Sequence, residues 1–187
     1  MTDLKIIQLC KEKNPLGQKE LVHQYSNVLM AQAYRYTLSK EDAKDVLQET
    51  FIQVFDKINM YDASKGTLLP WLKAICVNKA LMHLRKKKSI HTNREKYTIH
   101  QDGRSDYQLV NTSLETSDLY KMVLMLPEQQ RLVFNLSAIE GYAHKEIAKE
   151  LEITESHSRT VLTRARIQLK QIFEKRNTHK ISYYERS

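Results

Sequence analysis

Three carboxylates in this sequence have a spacing that could serve catalysis or metal binding. Asp42, Asp45 and Glu49 are separated by three and four positions, a spacing that places them on one face of a helix. Clustered carboxylates can hold a divalent cation or act as an acid and base pair. No histidine or further acid converges on them from a neighbouring pattern, so we predict no catalytic residue, no metal site and no cofactor. A nucleic-acid-modifying or hydrolytic enzyme is the alternative, which tight binding of a divalent metal would favour.

The helix that must position these carboxylates runs from Ser39 to Ile58, in the stretch SKEDAKDVLQETFIQVFDKI. Ser39 is suited to cap its first turn, where acidic side chains are favoured by the free amides and the helix dipole. One side carries an apolar stripe of Val46, Leu47, Phe51, Val54, Phe55 and Ile58. The other side is acidic and carries Asp42, Asp45, Gln48, Glu49 and Asp56. Because the whole chain has a formal net charge of +8, we expect separate acidic and basic surfaces for different partners.

The composition favours helices and a polyanionic partner. The 187 residues include only 4 Gly and 3 Pro, which disfavours architectures of strands and tight turns. With 30 Lys plus Arg against 22 Asp plus Glu, the charge points to nucleic acid or, less favourably, to an anionic membrane surface. No apolar run approaches the roughly 20 residues of a membrane span, and the N-terminus lacks signal-peptide features, so we expect a cytoplasmic protein. Cys10 and Cys76 have no ligand-spaced neighbour and are predicted to be buried.

Helical periodicity divides the chain into two predicted domains. Apolar residues recur at helical spacing on both sides of a break at Asn14–Gly17, along the acidic helix, and again from Pro70 to Lys88. Periodicity is lost from Ser89 to Asn111, which is rich in polar and charged residues. We predict an all-α protein with two small helical domains joined by a flexible linker, the second a helix-turn-helix domain. The predicted boundaries are 1–88 for the first domain, 89–111 for the linker, 112–173 for the second domain and 174–187 for a disordered tail.

The second domain ends in the layout of a helix-turn-helix. The segment HKEIAKEL is followed by a short turn at Glu152–Thr154 and by a long helix to about Phe173. Between Thr154 and Lys180 the chain has seven Lys or Arg against two acids, which is more one-sided than an ordinary solvated helix. Polar and cationic side chains near the start of the long helix could meet base edges in the major groove: Ser156, His157, Ser158, Arg159, Thr160, Thr163 and Arg164.

A second basic surface lies in the first domain, with eight Lys or Arg against one acid between Pro70 and Lys96. Aromatic and amide groups accompany the cations, as suits unstacked single-stranded bases. The candidates are Tyr61, Trp71, Lys73, Asn78, Lys79 and Arg85. The alternative interpretation is a basic helix end followed by a solvated linker, with Trp71 as an ordinary core residue. Both interpretations fit these residues taken alone.

Three motifs resemble, in order and spacing, the two domains of bacterial RNA polymerase sigma factors of the compact extracytoplasmic-function (ECF) group. They are DAKDVLQETFIQVF, then KGTLLPWLKAICVNKALMHLRKKK, then LPEQQRLVFNLSAIEGYAHKEIAKELEIT with a last helix that ends RTVLTRAR. The resemblance covers about residues 3–172 apart from the linker. The joint occurrence of three separate motifs argues against chance similarity.

The resemblance implies a non-enzymatic subunit that binds core RNA polymerase and directs promoter recognition, duplex melting and transcription initiation at a specific set of promoters. The helix with Asp42, Asp45, Gln48 and Glu49 corresponds to the segment that docks on the arginine-rich clamp helices of the polymerase's largest subunit. The loop 59–69 and the next helix correspond to the part that melts the minus-ten element, and the final helix corresponds to the reader of the minus-thirty-five element. The implied partners are core polymerase, promoter DNA and, as in many relatives, an anti-sigma protein, with no small-molecule substrate.

The sequence departs from the family pattern at two places. Met82 stands where the family often has Asp, four residues after Asn78. Ser156-His157-Ser158 stands where the recognition helix often begins Gly-Thr-Val. The first departure bears on the detail of the minus-ten contacts, and the second on how the recognition helix is seated. A repressor or activator that binds duplex DNA without polymerase is the other alternative, but it leaves the acidic helix and the loop near Trp71 unexplained.

Overall fold

The structure, a computed structural model, is helical throughout its regular elements in the residues that it describes. These are residues 1–92 and 114–184 for the backbone and residues 1–89 and 118–176 for the side chains. The chain divides into two compact units, Met1–Asn111 and Thr112–Ser187. The prediction of an all-α protein with two small helical domains is confirmed. Within the described ranges, no helix combines the length and apolar character that a membrane span requires.

The described part of the first unit is built from four helices. They are α1 (Asp3–Lys11), α2 (Pro15–Thr37), α3 (Lys40–Lys57) and α4 (Leu68–Thr92). Two single 3-10 turns, Ile58–Met60 and Ala63–Lys65, lie in the loop between α3 and α4. Helices α2, α3 and α4 pack against one another, and α1 packs on α2.

Side chains fix the positions at which α2 and α3 begin. The Asn14 side chain accepts a hydrogen bond from the Leu16 amide at 2.9 Å and so satisfies one of the free N–H groups of the first turn. Ser39 accepts a hydrogen bond from the Asp42 amide at 3.2 Å, which confirms Ser39 as the N-cap of α3. Between the two helices Leu38 has a φ of 53°, and this left-handed residue ends α2.

The core of the first unit lies between α2, α3 and α4. Its buried side chains include Leu21, Leu29, Val46, Val54 and Leu72. Burial of one such side chain stabilises the fold by about 1.5–3 kcal/mol relative to exposure. Cys10 and Cys76 are both buried, as predicted. Gly17 lets α1 approach α2 closely, because a Cβ added there would lie 2.5 Å from the Leu9 Cβ.

The second unit places a helix-turn-helix on a small apolar core. Its described helices are α5 (Leu114–Leu124), α6 (Glu128–Phe134), α7 (His144–Leu151) and α8 (Glu155–Tyr184), and α6 continues as one π-helical turn, Asn135–Ile139. Helices α5, α6 and α7 all contact α8. One buried cluster contains Met122, Val123, Leu126, Ala165 and Leu169. The first half of α8 is therefore packed into the apolar core of this unit.

Three helices extend beyond their predicted limits. Helix α2 begins at Pro15 rather than after Gly17, because Pro is tolerated in a first turn and Asn14 caps it. Helix α4 continues to Thr92 into the predicted linker, and α8 continues to Tyr184 into the tail predicted to be disordered. Neither extension contains Gly or Pro, the two residues that most disfavour a helix, so each helix can continue through its extension. Residues 93–111 of the predicted linker and 185–187 of the tail lie outside the described residues.

Candidate functional site

The acidic face of α3 forms one wall of an open groove. Asp45, Gln48 and Glu49 are exposed, whereas the Asp42 side chain is 18% exposed. All four line a groove of about 650 Å³ between α3 and α4. The opposite wall belongs to α4 and carries Met82, His83, Lys86 and Lys87. The four residues predicted from the sequence are thus brought together, and cations face them.

Two acids of α3 pair with basic residues of α4. Asp42 accepts a hydrogen bond from Lys87 Nζ, and Asp42 Oδ1 lies 3.2 Å from His83 Nε2. Two turns further along α3, Glu49 Oε2 lies 3.6 Å from Lys79 Nζ. Asp45, which lies between them on the same face, has no hydrogen bond or ion pair to any described residue. The acidic face therefore has paired and unpaired carboxylates side by side.

The pairing sets the protonation state of Asp42. Partial burial raises the pKa of its carboxyl group, because desolvation disfavours the charged form. The hydrogen bond from Lys87 and the attraction of Lys87 and His83 together lower the pKa by more. The net result is a pKa below the usual value of an aspartate, so Asp42 is ionised at neutral pH.

The geometry of this face does not favour a metal ion. No group of three or more metal-binding side chains occurs among the residues that the structure describes. Asp42 is engaged by Lys87 and Glu49 by Lys79, so a cation would have to displace an ammonium group at each carboxylate. These carboxylates are better placed to exchange one cationic side chain for another.

Tyr61 lies inside the loop that precedes α4 rather than on its surface. It is 8% exposed, and its hydroxyl donates a hydrogen bond to the Gly66 carbonyl at 2.9 Å. Its ring centroid lies 5.4 Å from that of Trp71 at an angle of 58°, and its own carbonyl accepts a hydrogen bond from Lys11 Nζ at 3.5 Å. In this placement the residue supports the loop and Trp71, because its hydroxyl is satisfied inside. Contact of Tyr61 with melted DNA stays a prediction.

The other residues predicted to bind melted DNA lie along α4. Asn78 and Arg85 are exposed, and Trp71, Lys73 and Lys79 are partly exposed. Trp71, Asn78 and Arg85 recur every seven residues and therefore share one side of the helix. That side presents part of an indole, an amide and a guanidinium group together. Lys79 differs from them because its ammonium group is held by Glu49.

The helix-turn-helix exposes most of its predicted residues at the start of α8. Exposed there are Ser156, His157, Arg159, Thr160, Thr163 and Arg164. Arg159 pairs with Glu155, whereas Arg164 has no hydrogen bond or ion pair to any residue in the described part of the chain. Thr160 and Thr163 donate their hydroxyl groups to backbone carbonyls one turn earlier, at 3.1 Å. Their oxygens can still accept a hydrogen bond, and Arg164 can still donate.

Ser158 differs from these neighbours because its side chain is fully buried. Its hydroxyl oxygen lies 2.8 Å from Nδ1 of His144, the first residue of α7. The contact joins the two helices of the helix-turn-helix beside the buried Ile147 and Val161. Ser158 is thus buried where the sequence analysis placed it on the DNA-facing surface, because its position on α8 turns the side chain into the core. Its contact with DNA stays a prediction.

His83 and His144 were not predicted from the sequence, and Lys87 was counted in the basic surface but not as a partner of Asp42. His83 and Lys87 are four positions apart, so the sequence could have shown that they share a face of α4. Only the packing of α4 on α3 shows that this face meets Asp42. His144 gave no signal, because its partner Ser158 is polar and was assigned to the DNA-facing surface.

Comparison with known protein families identifies both units. Residues 21–90 match the family model of Sigma-70 region 2, and residues 116–169 match that of Sigma-70 region 4. The first range contains the groove between α3 and α4, and the second contains the helix-turn-helix.

Curated relatives agree with these matches. The chain is 30% identical over 162 residues to the ECF RNA polymerase sigma factor SigE of Mycolicibacterium smegmatis, an alignment that covers 85% of this chain and 62% of that relative. It is 28% identical over 156 residues to the ECF RNA polymerase sigma factor SigM of Bacillus subtilis, covering 78% of this chain and 91% of that relative. The chain thus spans less than two thirds of the first relative's length and most of the second's.

A solved structure shares the fold. The sigma factor RpoE of Bartonella quintana, solved in complex with the anti-sigma factor NepR, gives a TM-score of 0.56 at 21% identity over 83% of this chain and 96% of that chain. Two family matches on two separate units, together with relatives of one class, decide the membership. This chain belongs to the extracytoplasmic-function group of RNA polymerase sigma factors, which are transcription initiation factors and not enzymes.

Proposed function

We propose that this protein is the detachable subunit that gives a bacterial RNA polymerase its specificity for a set of promoters. It binds core polymerase in the cytoplasm, recognises two promoter elements and opens the duplex at the minus-ten element. The observation that carries the proposal is an exposed acidic face on α3 in a chain of net charge +8 whose α8 presents exposed cations. A protein that met only DNA would gain nothing from exposed carboxylates, because they repel phosphate.

The acidic face is the surface proposed to meet polymerase. Asp45, Gln48 and Glu49 are exposed on consecutive turns of α3, where they suit the arginine-rich clamp helices of the largest polymerase subunit. Guanidinium groups bind carboxylates through paired, charge-assisted hydrogen bonds. Asp42 contributes less in the free protein, because Lys87 and His83 already engage it.

Helix α4 and its preceding loop are proposed to hold the melted minus-ten element. Trp71, Asn78 and Arg85 share one side of α4, and such a surface can stack on a base, hydrogen-bond its edge and contact phosphate. Tyr61 supports this surface from behind, through its ring contact with Trp71. Trapping unstacked bases must offset a few kcal/mol of lost stacking for each base.

The exposed start of α8 is proposed to read the minus-thirty-five element in the major groove. Arg164 and the hydroxyl groups of Thr160 and Thr163 are available to base edges or phosphates. Because the two DNA-binding units belong to one chain, binding of one raises the effective concentration of the other. An anti-sigma partner is compatible with this function, as in the complex solved for the Bartonella relative.

Binding to core polymerase tests the proposal. The double variant Asp45→Lys/Glu49→Lys places two cations opposite an arginine-rich surface, and like charges at an interface cost several kcal/mol. We expect its affinity for bacterial core polymerase to fall by about a hundredfold or more. The matched control Glu12→Lys/Glu152→Lys makes the same change in net charge at exposed acids outside α3 and should bind as the unmodified protein does.

Two outcomes would contradict the proposal. Unchanged affinity of Asp45→Lys/Glu49→Lys, with the helical circular dichroism spectrum intact, would remove the acidic face from the polymerase interface. Binding of the unmodified protein to duplex DNA but to no core polymerase would favour a DNA-binding regulator instead.

A further inference from the structure

We infer that the acidic face of α3 also serves as an internal counter-ion for α4, so that polymerase docking and DNA binding are coupled through the ion pairs Asp42–Lys87, Asp42–His83 and Glu49–Lys79. In the free protein these pairs occupy cations that DNA would use. A cationic partner that binds the carboxylates of α3 releases these basic side chains of α4. The inference rests on the proposed function, because it names a regulatory link within the same two surfaces.

The ion pairs are accessible to a cationic protein at α3 and to DNA at α4. The Glu49 side chain is 56% exposed, and the Lys79 side chain beneath it is 19% exposed. A guanidinium group can therefore approach Glu49 from solvent while Lys79 is still bound to it. Lys87 is 49% exposed, so its ammonium group can turn away from Asp42 to a phosphate without any change in the helix.

The groove supplies the room for this exchange. Its volume of about 650 Å³ lies between the two helices, with carboxylates on one wall and cations on the other. A long cationic side chain from a partner can enter the groove without separating α3 from α4. Because the pairs are partly exposed, each is weak enough to be exchanged and shifts binding by about two- to fivefold.

Coupling of this kind must be reciprocal. If a cationic protein bound to α3 strengthens the binding of DNA to α4 by some factor, then DNA bound to α4 must strengthen the binding of that protein by the same factor. Substitutions at Glu49 and at Lys79 each remove one half of the ion pair, so each should raise one of these two affinities. The two effects can be measured separately, one with DNA alone and one with core polymerase. The measurement with DNA alone therefore tests the ion pairs even if the protein does not bind core polymerase.

The first experiment measures the binding of the full chain to a short fluorescein-labelled oligothymidine over a range of salt concentrations. Glu49→Gln releases Lys79 and should tighten binding about two- to fivefold. It should also steepen the dependence of log affinity on log salt by about 0.7, the value for one more phosphate contact on a single strand. Asp42→Asn, which releases Lys87, should behave in the same way.

Asp45→Asn is the matched control. It removes one negative charge from the same face of α3, but Asp45 has no ion pair to release among the described residues. We expect a smaller gain in affinity and an unchanged salt slope. If Asp45→Asn matches Glu49→Gln in both quantities, the gain comes from net charge alone and the inference is overturned.

A double variant isolates the pair itself. In the Lys79→Gln background, Glu49→Gln should no longer steepen the salt slope, because no lysine remains to be released. A slope that still steepens would contradict the assignment to Lys79.

The second experiment measures affinity for core polymerase. Lys79→Gln should bind core polymerase about two- to fivefold more tightly than the unmodified protein, whereas Lys73→Gln, on the same helix without an ion pair to any described residue, should not. Equal affinities of Lys79→Gln and the unmodified protein would overturn the coupling and leave the proposed function intact. If the unmodified protein does not bind core polymerase, the proposed function fails, and the oligothymidine measurement still decides whether the ion pairs restrain DNA binding.

Discussion

The imidazole Nδ1 of His144 lies 2.8 Å from the hydroxyl oxygen of Ser158, and this contact joins the two helices of the helix-turn-helix. Ser158→Ala should lower the free energy of unfolding of the second unit by about 0.5–1.5 kcal/mol, because it removes a partly buried hydrogen bond. The control Ser156→Ala, at an exposed position two residues earlier, should stay within about 0.5 kcal/mol of the unmodified protein. Urea unfolding followed by circular dichroism measures both. Unchanged stability of Ser158→Ala with a loss of duplex binding would place Ser158 at the DNA after all.

Arg164 is the cation at the exposed start of α8 that is available to duplex DNA. Arg164→Ala should weaken binding to minus-thirty-five duplexes by about 1–3 kcal/mol if the guanidinium group reads a base. If it contacts phosphate instead, the salt slope should fall by about 0.9 for all sequences alike. Lys170→Ala, in the second half of α8, serves as the control and should change affinity by less than twofold. Fluorescence anisotropy with labelled duplexes measures the difference, and wild-type affinity would remove Arg164 from the interface.

Gly17 is a position where α1 and α2 approach too closely for a side chain. In Gly17→Ala the new Cβ would lie 2.5 Å from the Leu9 Cβ and 2.9 Å from the Cys10 backbone nitrogen, so one helix must move. We expect a loss of about 1–3 kcal/mol in the free energy of unfolding of the first unit. Asn27→Ala, at an exposed site on the same helix, should be neutral or slightly stabilising. An increase in stability of Gly17→Ala would contradict the close approach.

Asp42 gives the first unit a pH-dependent contribution to stability. Its pKa is lower when folded than when unfolded, so its contribution is present above the unfolded pKa of about 3.9 and is lost as the pH falls through the folded pKa. Asp42→Asn should therefore be less stable than the unmodified protein at pH 7, by up to about 1 kcal/mol for a partly exposed pair.

The difference in stability between these two proteins should close once the pH falls below the folded pKa of Asp42. Urea unfolding at a series of pH values measures the gap, with Asp45→Asn as the unpaired control. A gap that stays constant down to pH values at which carboxylates are protonated would show that the Lys87 and His83 contacts do not stabilise the ionised form.

Much of this organisation follows from local patterns in the sequence. The spacing of Asp45, Gln48 and Glu49 places them on one exposed face, and Ser39 caps the helix that carries them, because both features depend only on residues within a few turns. The helix-turn-helix is predictable for the same reason: its turn and its two apolar faces are close in sequence.

Contacts between distant residues did not follow from those patterns. The pairing of Asp42 with Lys87 joins positions 45 residues apart, and it depends on how α3 rotates against α4. Ser158 was assigned to DNA for its polarity and Tyr61 for its aromatic ring, but each satisfies its hydroxyl group inside the protein, at His144 and Gly66. A polar side chain can be predicted to be exposed only if it has no hydrogen-bond partner inside the protein. A single sequence does not reveal such partners.

Run-off transcription with bacterial core polymerase and a library of promoter sequences measures whether this protein directs initiation at specific promoters. We expect the unmodified protein to produce transcripts from a subset of templates that share minus-thirty-five and minus-ten elements, with none from core polymerase alone. Asp45→Lys/Glu49→Lys should abolish these transcripts while binding duplex DNA at least as tightly as the unmodified protein does. The absence of promoter-dependent transcripts with any bacterial core polymerase, from a protein that is folded and binds duplex DNA, would show that this chain does not direct initiation.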